Sequence, residues 1–454
     1  MTMDSSLQIS PAPWLCTKPP DWRSDRLKDV VPLILGGGTP PSSEPDCWED
    51  GKIIWVTPTD FSRNGNRPEI SDSERKITEV GLKMSAAAML PVNTVIMASR
   101  ATIGAVRIAG TELTTNQGFV SFVCNDSILH HRFLFYVISG FLGDYFAEIA
   151  PGTTFSEISR GRAKREPIAF PGRDEQQRIA AFLDASCAAI DAALIAKRLQ
   201  LDTLDALGKS IIQRAVTEGI SEGVEFENTG NAWMEKIPRG WKLVCLKRVA
   251  EIQGGLTLGK QYAGPLIERP YLRVGNVQDG YLDLADVSVI ELPASVATGV
   301  ELRPGDVLMT EGGDLDKLGR GHLWNGEIPG CLHQNHIFAV RCFLHKLKPT
   351  FLAYVTAAKY GRDYFEATGK KTTNLACTNA TKVGEFPVPL PSLTEQDAIC
   401  AYLEEKLAEV KGIATGIESQ IAILTAYRKS LIHECVTGQR RITDVDLNRV
   451  KAHG

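Results

Sequence analysis

The sequence predicts an α+β protein of two similar mixed α/β domains, each followed by a long helix, with the two helices pairing as an antiparallel coiled coil. Three observations carry that expectation: an internal repeat running the length of the chain, two proline-free stretches with helical apolar spacing, and short β-rich runs bounded by Gly, Asn and Pro in both halves.

The repeat is strongest where the helices are expected. Glu175, Gln176, Ile179, Ala181 and Leu183 match Glu395, Gln396, Ile399, Ala401 and Leu403 at a constant separation of 220, the difference between 175 and 395. Leu204/Leu424, Lys209/Lys429, Ser210/Ser430, Ile212/Ile432, Val216/Val436 and Thr217/Thr437 keep the same register without a gap. Ahead of the helices the match drifts by a residue or two, as loops with insertions do: Trp14, Pro19, Trp22 and Leu27 answer to Trp233, Pro238, Trp241 and Leu246. Asp144, Tyr145 and Phe146 answer to Asp363, Tyr364 and Phe365.

Within each domain, Thr94 to Met97, Gly118 to Val123, Val307 to Thr310 and Ile337 to Arg341 read as strands. Arg132 to Ile149 and Pro349 to Phe365 read as helices, so a twisted sheet with a few helices is the expected core. From Asp174 to Thr217 no proline occurs, and Ile179, Leu183, Ile190, Leu194, Leu201, Leu204 and Ile211 recur at helical steps; Ile399, Leu403, Val410, Ile417, Leu424 and Leu431 repeat the stripe. Asp174 and Thr394 are the expected N-caps. A helix of about 40 residues is roughly 60 Å long, a strut rather than a domain helix, and two equal struts behind two equal domains favour pairing with each other over separate packing.

Composition narrows the function classes. With 43% hydrophobic and 23% charged residues the chain is globular and ordered. No uninterrupted apolar run approaches the roughly 18 residues of a membrane span and the polar start lacks a signal peptide, so no membrane and a cytoplasmic location are expected. Ten cysteines without a CxxC pair suit reduced thiols. The net charge of −4 means that any nucleic-acid contact comes from local patches or is completed by a partner.

Pro391, Leu393, Glu395, Gln396, Ile399 and Leu403, followed by Lys429 to Ile432 and Val436-Thr437-Gly438, resemble the helical region of type I restriction-modification specificity subunits, and Pro171 to Gly219 carries the same pattern. Ser99 to Gly104, Leu272 to Asn276, Gly305 to Met309 and Gln334-Asn335-His336 are similar to stretches of that family's target recognition domains. The resemblance implies target recognition domains at 1–171 and 226–390, helical regions at 172–225 and 391–440, and a tail at 441–454. It further implies a non-catalytic protein with no cofactor of its own, which recognises a bipartite site in double-stranded DNA. Two methyltransferase subunits, which bind S-adenosylmethionine, would dock on the helices through Ile179, Leu183, Ile190, Leu201, Leu204, Ile399, Leu403, Val410, Leu424 and Leu431. Restriction subunits, which bind ATP and Mg²⁺, would join them. The rival expectation is a structural adaptor whose twin domains bind proteins.

Arg and Lys suit phosphates or guanine, and Asn suits adenine edges. The candidate contacts in the first domain are Arg63, Asn64, Asn66, Arg67, Ser99, Arg100, Thr102, Arg160, Arg162, Lys164 and Arg165; in the second they are Arg273, Asn276, Lys317, Arg320, Lys370, Lys371, Thr372 and Asn374. Asn116-Gln117 and Gln334-Asn335 stand at the start of β-rich runs, where capping backbone groups is the favoured role. Cys331, His333, His336 and Cys342 lack finger spacing and flank a strand, so no metal is expected. Gly36-Gly37-Gly38 lacks the Lys-Ser/Thr of a phosphate loop, and the matching Gly254-Gly255 suggests a shared turn.

Overall fold

The computed structural model describes residues 13–151, 156–278, 280–313, 318–319, 321–371 and 376–453. The chain divides into two compact units, Met1–Arg198 with Glu418–Gly454, and Leu199–Ile417.

In the first unit the strands are β1 (Arg23–Arg26), β2 (Leu33–Gly36), β3 (Ile53–Val56), β4 (Glu69–Ile70), β5 (Lys76–Ile77), β6 (Val95–Ala98), β7 (Val106–Ala109), β8 (Thr114–Thr115), β9 (Phe119–Val123) and β10 (Pro167–Phe170). Helix α1 (Pro58–Arg63) follows β3, and α2 (His131–Val137) leads through a π-helical turn into α3 (Gly143–Ile149). A five-stranded sheet has the order β2-β9-β6-β7-β4, beside a small sheet β5-β3-β8. Strand alternation sets what each face buries: Val95, Met97, Val120 and Phe122 join the core under α2, while Ile96, Ala98 and Phe119 join the cluster of Val56, Phe61 and Leu90. Both faces are covered, which is why β6 and β9 read as nearly continuous apolar runs.

The second unit repeats this plan with β11 (Lys242–Cys245), β12 (Ala250–Gly254), β13 (Asp306–Thr310), β14 (Gly321–Leu323), β15 (Ile337–Cys342) and β16 (Pro387–Leu390). The sheet order β12-β15-β13-β14 matches β2-β9-β6-β7 strand for strand. The face pattern repeats too, with Val307, Met309, Phe338 and Val340 on one side and Leu308, Ile337 and Ala339 on the other. In both units the first and last of these strands pair antiparallel, Arg23 with Phe170 and Lys242 with Leu390, and the chain then enters a long helix.

Those helices are α4 (Arg173–Glu218, 46 residues) and, after α5 (Pro349–Ala357) and α6 (Lys359–Thr368), α7 (Leu393–Val436, 44 residues). In the first unit Ile179, Leu183 and Ile190, from the start of α4, share a core with Leu431, Cys435 and Val436, from the end of α7. In the second, Ala215 and Val216 from the end of α4 share one with Ile399 and Leu403 from the start of α7. The helices pair antiparallel, and each half also packs on the sheet domain of its own unit, so the two packings weighed against each other in the sequence occur together. A last helix, α8 (Asp444–His453), closes the first unit, where Arg441 pairs with Asp21 and Glu175.

Three local expectations change. The continuous helix expected at Pro349 to Phe365 is broken at Ala358, whose ψ of 152° is extended, and Tyr360 N–H donates instead to Gln213 Oε1 of α4 at 3.1 Å. The N-caps fall earlier than Asp174 and Thr394: Gly172 O accepts from Glu175 N–H, and Ser392 Oγ from Glu395 N–H at 3.2 Å. Among the described residues α4 is long and apolar enough to cross a membrane by length and composition. Two of its aspartates, Asp184 and Asp191, are nevertheless paired within the protein. Asp184 accepts from Arg132 at 3.1 Å and Tyr136 Oη at 2.8 Å, and Asp191 lies 3.1 Å from Arg428 Nε. With Ile179, Leu183, Ile190 and Leu194 buried beside them, this is a core helix.

Candidate nucleic-acid interface

The Gly-rich turns after β2 and β12 are close approaches of backbone to backbone. A Cβ at Gly37 would sit 1.8 Å from Asn116 O, and one at Gly255 would sit 2.3 Å from His333 O and Gln334 O. Each unit therefore presents a glycine turn laid across the Asn/Gln pair that precedes its central strand. Asn116 Oδ1 accepts from Gly118 N–H at 2.9 Å, the structural role favoured from the sequence, while Gln117 is exposed and its Oε1 accepts from Thr39 Oγ1.

The candidate contacts separate into three groups. Asn64, Ser99 and Asn276 are scaffold and leave the contact set. Asn64 Nδ2 donates to Arg67 O and Glu69 O, Ser99 is buried, and buried Asn276 accepts from Arg273 N–H at 2.7 Å while donating to Asp283 O and Asp286 O. Arg63, Arg100, Arg162 and Arg273 are neutralised within the protein by Glu74, Glu157, Glu166 and Asp286, at 2.6 to 2.9 Å. Asn66, Arg67, Thr102, Arg160, Arg165 and Lys370 are exposed, and Lys164 is half-buried. Lys317, Arg320, Thr372, Asn374 and the side chain of Lys371 lie outside the described residues. Ala101, beside Arg100 and Thr102, has a φ of 56°, so this turn is held in the left-handed region that an alanine rarely adopts.

The residues assigned to partner docking are largely core. Ile179, Leu183, Ile190, Ile399, Leu403 and Leu431 are buried, and Leu201, Leu204, Val410 and Leu424 are half-buried. The apolar side chains that the helices leave outside are others: Ile195, Leu199, Leu207, Ile413 and Ile423 are 47–66% exposed. The apolar stripe in the sequence marks the inward face, because that face must fill a core, and the outward residues interrupt it irregularly.

Of the second-unit cysteine and histidine set, Cys331, His333 and Cys342 are buried, while exposed His336 lies 2.8 Å from Glu311. His333 Nδ1 lies 2.8 Å from Ile337 O, and burial lowers its pKa. Burial pushes the Cys331 and Cys342 thiols up to about 12. Asp126, His130 and His131 have potential ligand atoms within 4.8 Å of one another. Their geometry is that of a helix cap: Asp126 Oδ1 accepts from His131 N–H, and both its oxygens lie 3.0 Å from His131 Nδ1. The positive end of α2 and the side chain of Arg173, which donates to Asp126 O, disfavour a cation there.

Residues 19–200 match the family model described as "Type I restriction modification DNA specificity domain". The MjaIX specificity subunit of a type I restriction enzyme from Methanocaldococcus jannaschii is 29% identical over 52% of this chain. That alignment spans 53% of the relative, so the chain covers about half the length of that curated protein. These matches liken the chain to the specificity subunits of type I restriction-modification systems. Two solved structures share its fold. A chain from a study of complex assembly and conformational transition of the type I R-M system has a TM-score of 0.67 at 18% identity, with 92% of this chain and 98% of that one covered. The HsdS subunit from Thermoanaerobacter tengcongensis has a TM-score of 0.52 at 16% identity, with 93% and 98% covered. The matched model covers the first sheet domain and the first part of α4.

Proposed function

We propose that this chain is a type I specificity subunit that selects a bipartite site in double-stranded DNA, one half read by each unit, and catalyses nothing itself. The observation that carries the reading is the duplication of one sheet plan with unlike polar side chains at its turns: the same glycine-over-backbone crossing presents Thr39 and Gln117 in one unit and Gln334 and Asn335 in the other. A shared scaffold with divergent turns suits two half-sites of different sequence. Two methyltransferase subunits, and restriction subunits with them, dock on the helices, for which the exposed Ile195, Leu199, Ile413 and Ile423 supply apolar area. S-adenosylmethionine, ATP and Mg²⁺ belong to those partners, and the assembly works in the cytoplasm.

Exchanging residues 1–170 for the corresponding domain of another specificity subunit is expected to change the first half of the methylated motif and leave the second as it was. Altered bases in both halves would reject modular reading, and an unchanged motif would favour the protein-binding adaptor. Because the net charge is −4 and Arg63, Arg100, Arg162 and Arg273 pair with the chain's own carboxylates, the subunit alone is expected to bind its site weakly and with a shallow salt dependence, both rising when methyltransferase is added. Gel-shift titrations at several salt concentrations check this; equal affinity and slope with and without partner would contradict it.

A further inference from the structure

One basic side chain that the sequence did not single out is held in a fixed pose on the first unit. The Arg75 guanidinium lies 3.8 Å from the ring centroid of Trp48 and 5.4 Å from that of Trp55, and the two rings meet edge to face at 5.1 Å. Both indoles are tethered: Trp55 Nε1 donates to Gly38 O and Trp48 Nε1 to Pro41 O, each at 2.9 Å. The backbone is fixed as well, since Ser73 Oγ donates to Arg75 O at 2.6 Å and accepts from Trp55 N–H at 3.0 Å.

The neighbouring cations are neutralised, Arg63 by Glu74 and Lys76 by Asp72, whereas Arg75 is exposed and forms no ion pair among the described residues. Through Gly38 the stack adjoins the Thr39–Gln117 contact of the glycine turn. An arginine stacked on an aromatic face keeps its plane while its edge N–H groups point outward, the form needed for paired donation to one acceptor edge.

Building on the DNA-recognition reading, we propose that Arg75 reads a guanine of the first half-site, donating from two N–H groups to O6 and N7 in the major groove. Trp48 and Trp55 position Arg75 and touch no base.

The test uses the complex with its methyltransferase subunits, binding a duplex that carries the methylated motif and one lacking it. R75A is expected to lose roughly 5- to 150-fold in affinity for the motif duplex, with a much smaller change on the other. In cells, its methylated motif should relax at one guanine of the first half and stay intact in the second. R75K keeps the charge and the loop but not the planar fork held on Trp48, so it should fall with R75A. An R75A complex with wild-type affinity and motif would overturn the proposal, and so would full recovery in R75K, which would leave the stacked guanidinium fork without a role. A wild-type complex that selects no motif would overturn the DNA-recognition reading itself, a result distinct from either.

Discussion

Asp306→Ala is expected to destabilise the second unit by about 3–5 kcal/mol, the usual cost of leaving one member of a buried ion pair alone. Asp306 is 1% exposed on β13. Its carboxylate accepts from Arg341 Nε and Nη2 at 2.8 Å across to β15 and from Arg303 N–H at 2.8 Å. The Asp306 hydrogen bonds hold the Arg341 pKa above its ordinary value. The double variant Asp306→Ala/Arg341→Met should recover part of the loss, because an apolar pair of similar volume needs no desolvation of charge. Hydrogen exchange measured peptide by peptide checks both, with protection lost across β13 and β15 and retained in the first unit. Equal loss in the two units would show that the pair does not act locally.

The second large effect concerns the glutamines that open the long helices. Gln396 is fully buried; its Oε1 accepts from Lys348 N–H at 2.8 Å, and its Nε2 donates to Lys346 O and Pro391 O. Gln176 does the same with His130 N–H, Ile128 O and Pro171 O. Each glutamine ties the first turn of a long helix to the loop before α5 or α2. Gln396→Leu keeps the volume but orphans one N–H and relieves two carbonyls of their donor, at about 1–3 kcal/mol for each buried group left unsatisfied. The expected result is early unfolding of the first turn of α7 and fast exchange at the Lys348 amide. Wild-type exchange there would contradict the assignment.

The sheet plan and the helix pair were legible: short apolar, β-rich runs put β6, β9, β13 and β15 within a residue of where the sequence placed them, and helical apolar spacing marked α4 and α7. Polar roles were not, because they depend on partners far along the chain. Gln176 and Gln396 stood out as repeat markers without any sign that they bind loops 46 to 50 residues away. Asn276 looked like a base reader by type, and its three backbone partners make it a turn. Arg100 and Arg273 looked free until Glu157 and Asp286 came beside them. Arg75 was overlooked because its setting needs two tryptophans brought together from positions 48 and 55. Residue chemistry thus suggested what kind of contact occurs, and the fold decided which side chains remain available to make it.

The most direct test of the account is the set of methylated sequences in cells expressing this chain with its methyltransferase subunits, compared with cells lacking the chain. The account predicts one motif, dependent on the chain, made of two specific blocks separated by a fixed stretch of unspecified bases. Methylation at a single contiguous block, or a pattern unchanged when the chain is removed, would contradict it.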